Sequence, residues 1–116
     1  MIIITKTFTK SLHKLGSISL WDVKREILKH KSGLQNFIEL WEIEGKVILK
    51  GYLNSKKIRV IMSFTQYNGH YFPFFIIRKE TKWWYNISKQ SLPFLTQEMW
   101  KHTQDIINWD FERIKL

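Results

Sequence analysis

Hydrophobic and polar positions alternate along Ile58-Arg59-Val60-Ile61-Met62-Ser63-Phe64. The period predicts a strand with Ile58, Val60, Met62 and Phe64 on one face and Arg59 on the other. Asn68-Gly69 predicts a turn. His70 to Ile77 follows as an almost unbroken apolar run, the pattern of a strand covered on both faces, and it stops at Arg78-Lys79-Glu80-Thr81-Lys82. Upstream, Val47 to Leu53 predicts another strand. Val47, Leu49 and Leu53 fall on one face and Ile48, Lys50 and Tyr52 on the other, with Asn54-Ser55-Lys56 turning the chain into the hairpin.

The flanks read differently. Met1 to Thr5 is short and β-branched and predicts a first strand. Thr7 is placed to cap a helix through Leu15, with Phe8, Leu12 and Leu15 on one stripe and Gly16 as its stop. Ser19 predicts a second N-cap, with Asp22 three residues on, an apolar stripe of Leu20, Val23, Ile27 and Leu28, and Lys29, His30 and Lys31 in the last turn before Gly33. Leu34 to Glu44 fits either a helix or a strand, and the nearby β-forming residues favour the extended form. Beyond Lys82, Trp83-Trp84-Tyr85 leads to Asn86-Ile87-Ser88. Ser88 or Ser91 caps a final helix, with Pro93 in its first turn and Leu95, Met99 and Ile106 on its buried face beside Trp100 and Ile107. Residues 108–116 are expected to fray. The order predicts one α+β domain over residues 1–116: a strand, a two-helix hairpin, an antiparallel meander of three or four strands, and a C-terminal helix, with the helices on one face of the sheet.

Composition narrows the classes. The chain has 116 residues, enough for one core without staples. With 0 Cys it forms no disulfide or thiolate metal site, in keeping with a reducing cytosol. No apolar run approaches the ~20 residues that span a bilayer, and Ile2-Ile3-Ile4 is too short for a signal-peptide core. A net charge of +9 and a pI near 9.9 attract polyanions, whether nucleic acid, an acidic membrane or an acidic partner. The 6 Trp are expected mainly to fill the core, with stacking on bases as the alternative.

Strand phase makes the cations a candidate site. Lys50, Tyr52 and Arg59 point away from the main apolar face, and Arg78, Lys79 and Lys82 leave the sheet near by. Such a surface can clamp phosphate, with Lys56 and Lys57 in the adjoining turn. The competing reading is a set of solvated charges protecting a sheet edge. RNA also carries its own nucleophile, the 2′-hydroxyl. Its cleavage needs that proton removed, the phosphorane charge stabilised and the leaving oxygen protonated. Cations serve the second need, while a Lys of lowered pKa or a Tyr, here Tyr52 or Tyr85, serves the others. No metal or other cofactor is needed. His13, His30, His70 and His102 lack metal-ligand spacing and are expected at the surface or at helix ends, with His102 kept as a secondary proton donor. No Gly-rich phosphate loop or nucleophile elbow occurs.

These stretches resemble the RelE/ParE superfamily of bacterial toxins. Thr7-Phe8-Thr9-Lys10-Ser11-Leu12-His13-Lys14-Leu15 is similar to the family's opening helix, and Lys57-Ile58-Arg59-Val60-Ile61 to its central strand. Lys79-Glu80-Thr81-Lys82 followed by Asn86-Ile87-Ser88 is similar to the ending of many RelE-like chains, here with a longer spacer. The resemblance implies a microbial-ribonuclease-like domain that cuts messenger RNA in the ribosomal A site, and an antitoxin that covers the basic surface. It matches Arg59 to the family's strand Arg, Lys50 to a Lys on the preceding strand, and Lys79 or Lys82 to the basic residue after the last strand. Tyr85 only approximates the family's C-terminal Tyr. The implied site is thus Arg59, Lys50, Lys79, Lys82 and Tyr85 for catalysis, with Tyr52, Lys56, Lys57 and Arg78 holding RNA. A ParE-like topoisomerase inhibitor or a basic adaptor is the non-catalytic alternative.

Overall fold

Thr5 closes one element and opens the next. In the computed structural model, which describes residues 1–16, 18–43, 45–53, 57–78 and 92–116, strand β1 (Ile2–Thr5) runs straight into helix α1 (Lys6–Leu15). Thr5 is extended and its hydroxyl accepts from the Phe8 N–H at 3.2 Å, so the cap is Thr5 rather than Thr7. Helix α2 (Leu20–Lys31) starts as its sequence predicts. The Ser19 N–H donates to Asp22 Oδ2 at 2.8 Å, and this bond and its companions hold the Asp22 carboxyl below the ordinary range.

Four strands then form an antiparallel meander: β2 (Phe37–Ile43), β3 (Lys46–Leu53), β4 (Ile58–Thr65) and β5 (His70–Arg78). The ambiguous segment 34–44 is therefore extended over most of its length. Asn68-Gly69 turns the chain as predicted. Gly69 has φ +70, and the Asn68 side chain accepts from the His70 N–H. Helix α3 (Leu92–Ile107) follows, then β6 (Phe111–Ile114). The sheet has six strands in the order β2-β3-β4-β5-β1-β6, with β1 parallel to β5 and antiparallel to β6. The tail expected to fray thus forms an edge strand from Phe111, and its Ile114 and Leu116 pack against the core.

The expectation that all helices cover one face is corrected. On the first face, α1 and α2 lay Phe8, Leu12, Val23 and Ile27 on Ile2, Ile4, Leu49, Val60 and Met62. On the second, Leu95 and Met99 of α3 meet Ile48, Ile61 and Phe74. The cause lies in β5. Its register shifts opposite Ile61 and Met62, beside Pro73, and Phe72, Phe74, Phe75 and Ile77 all join the second cluster. That much apolar surface has to be covered. On α3 itself Leu95 is buried, but Trp100 and Ile107 are exposed and His102 takes an interior place. Among the described residues, no helix is long and apolar enough to cross a membrane.

Two hydrogen-bonded contacts lock α3 to the start of α1. Thr5 Oγ1 lies 2.6 Å from His102 Nδ1, and with Nδ1 as acceptor the hydroxyl donates there while accepting from Phe8. Asp105 Oδ2 accepts from both the backbone N–H and the hydroxyl of Thr7, at 2.7 and 2.6 Å. Partial burial pushes the Asp105 carboxyl up, but the Thr7 bonds, His102 and Lys6 more than reverse it and hold it below the ordinary carboxylate range.

Candidate nucleic-acid interface

The predicted strand phases hold. Tyr52 and Arg59 are directly opposite across β3 and β4, and Lys50 is opposite Ile61, which puts Lys50, Tyr52 and Arg59 on the second face. The Arg59 guanidinium carbon sits 5.7 Å from the centre of the Tyr52 ring, within cation–π range. Lys50 and Tyr52 are half-buried, Lys57 is exposed, and Arg59 is only 4% exposed. A guanidinium so enclosed orients its neighbours rather than greeting a ligand from solvent.

Arg78 goes the other way. It is paired with Ile58, on the first face, and its Nη2 donates to the Leu15 carbonyl at the end of α1. A cation at a helix C-terminus answers the free carbonyls and the dipole there. The structure therefore brings Lys50, Tyr52 and Arg59 together and leaves Arg78 across the sheet from them. Lys56, Lys79, Lys82 and Tyr85 lie outside the described residues, as do Trp83 and Trp84. No known family pattern matches the chain, and no curated protein or solved structure is significantly similar to it.

The histidines are not all peripheral. His102 is 2% exposed, and burial holds its imidazole down to about 4, against a partial opposing pull from Asp105. His30 Nδ1 lies 2.7 Å from the Tyr71 hydroxyl, with Phe37 and Phe64 packed on the imidazole. Burial lowers His30 and raises Tyr71, so both stay neutral near pH 7. His102 is therefore an interior polar joint, whereas half-buried His30 keeps the expected helix-end place in the last turn of α2. Sequence offered the same signal for both: His102 is three residues past Met99 and seven past Leu95, and His30 is three past Ile27 and seven past Val23, each on its helix's apolar stripe.

Tryptophan placement also departs from expectation. Trp41 joins the second core cluster, while Trp21, Trp100 and Trp109 are exposed.

Proposed function

We propose that this chain is an RNA-directed toxin of the RelE/ParE kind, a cytoplasmic endoribonuclease that cuts messenger RNA on the ribosome. One observation supports the reading above others: Lys50, Tyr52 and Arg59 share one face of adjacent strands, with the guanidinium against the phenol ring. The order of strand, two helices, antiparallel meander and helix is also the one that the sequence pattern predicts, with β6 added after α3. In this reading the RNA 2′-hydroxyl attacks the neighbouring phosphorus and the bond to the 5′-oxygen breaks, leaving a cyclic phosphate. Lys50, with Lys79 and Lys82, stabilises the phosphorane charge. Arg59 positions the Tyr52 ring, and Tyr52 or Tyr85 moves the protons. The partner is an antitoxin whose acidic or amphipathic segment covers this surface.

A non-catalytic module, such as a topoisomerase inhibitor, is favoured by a different observation: Arg59 is enclosed, and Arg78 is committed to the opposite face. Induced expression in bacteria separates the two. Lys50→Ala is expected to reduce mapped messenger cleavage about 100-fold, the cost typical of losing one stabilising donor, with an unchanged melting temperature. Intact messages beside stalled DNA replication would overturn the nuclease reading and support the module.

A further inference from the structure

Helix α3 ends in a place where bulky residues are rare. The Trp109 N–H donates to the Ile106 carbonyl at 3.1 Å and the Asp110 N–H to the Asp105 carbonyl at 2.8 Å. These bonds form a Schellman motif, whose left-handed position normally goes to Gly. Here that position is Trp109, with φ +62, the one non-Gly positive φ among the described residues. Folding gives little reason for the choice, because Trp109 is 80% exposed. Its ring is stacked on Phe111 with centroids 6.1 Å apart and planes 21° from parallel, and the Arg113 guanidinium carbon lies 5.6 Å from the Phe111 ring centre.

Phe111 also lines a groove of about 470 Å³ between β6 and α1, with Lys6, Lys10, His13, Asp110 and Glu112 along it. An open aromatic face with a guanidinium on its partner ring, on the side of β6 that carries Phe111 and Arg113, and a groove carrying lysines, on the side that carries Glu112, meet along one edge of the sheet. We infer that this edge binds single-stranded RNA, with a base stacked on the open face of Trp109 and the flanking phosphates drawn to Arg113, Lys6 and Lys10. Stacking on an exposed aromatic accepts any base, and cations track the backbone. Asp110 and Glu112 repel phosphate but accept from base amino groups, so they favour the base edge on their side of the groove. β6 lies four strands from β3, which carries Lys50, roughly 19 Å at ordinary strand spacing, so a single strand of RNA has to span that distance to reach both this edge and Lys50.

The inference takes its substrate class from the proposed function but does not require cleavage. Its test is the affinity of the full chain for a labelled single-stranded RNA of about 12 nucleotides, read by fluorescence anisotropy. Trp109→Gly is the decisive variant, because glycine suits the left-handed position and removes the ring without harming the fold. It is expected to weaken binding roughly 5- to 150-fold, the range of one base stack removed. Arg113→Ala with Lys10→Ala is expected to lower the salt slope by about 0.7 for each phosphate no longer neutralised. If wild type fails to bind RNA, this inference falls, while the proposed function, which acts on the ribosome, is decided by the mapped message ends. Wild-type-like binding by Trp109→Gly, with Lys50→Ala weakened, overturns this inference alone. Weak binding by Trp109→Gly in a protein that cleaves no message supports the edge site and overturns the nuclease.

Discussion

A methyl group at position 51 has no room. An ideal Cβ on Gly51 would overlap two carbons at the edge of the Phe37 ring, because that ring of β2 lies over the glycine opposite it on β3. Gly51→Ala is expected to cost about 1–3 kcal/mol by overpacking, read from the urea midpoint. Phe37→Leu in the same chain should cost less than the two separate changes added together, since both act on one space. Stability equal to wild type in Gly51→Ala would contradict the packing. At His102 the consequence is a pH dependence. The folded imidazole sits at about 4, below the ordinary unfolded value of 6.5. The unfolded chain therefore binds the proton first, and stability is complete above pH 6.5 and lost as pH falls through 4. The loss is on the order of 3 kcal/mol across that window, and His102→Gln should flatten it while wild type slopes. Asp105 and Lys101 are the charged groups acting on this imidazole, and Asp105, its carboxyl held low, adds a further loss at still lower pH.

At the scale of elements, α1 has no acidic residue in its own first turn, so Asp105 of α3 supplies one from outside. Asp105→Ala removes the acceptor of both Thr7 donors and should destabilise the fold by about 1–2 kcal/mol, measured by thermal melting. No effect would mean that water replaces the carboxylate without loss. Elements with a local signature are legible in the sequence. Ser19 and Asp22 mark α2, Asn68-Gly69 marks the hairpin, and alternation gives the phases of β3 and β4. The N-cap of α1 lies two residues before the one its sequence suggests, because Thr5 and Thr7 are both good capping residues and only the end of β1 decides between them. β6 is hidden for another reason. Phe111-Glu112-Arg113-Ile114 is short and its two apolar residues do not alternate, so it becomes a strand by pairing along β1.

At the scale of the molecule, the local pattern leaves open which face α3 covers. The clue is in β5, where an apolar run from Tyr71 to Ile77 has no polar side to offer water. A sheet built around such a strand needs cover on both faces, whereas the alternation of β3 and β4 suggests one open face. The candidate site divides along the same line. The union of Lys50, Tyr52 and Arg59 follows from strand phase alone and is legible. The burial of Arg59 and the turn of Arg78 toward α1 depend on tertiary packing and are not. Trp109 is invisible for a related reason, since nothing local marks a tryptophan in a glycine position. Polyanion binding fits the charge of +9 at this scale, and the sheet offers two separated places for it, the β3–β4 face and the β6 edge. Nuclease action is tested most directly by mapping messenger RNA ends after induced expression of wild type and of a Lys50→Ala variant with the same melting temperature. Cleavage through Lys50 predicts new ends within reading frames for wild type that fall about 100-fold in the variant; unbroken messages in growth-arrested wild-type cells would contradict it.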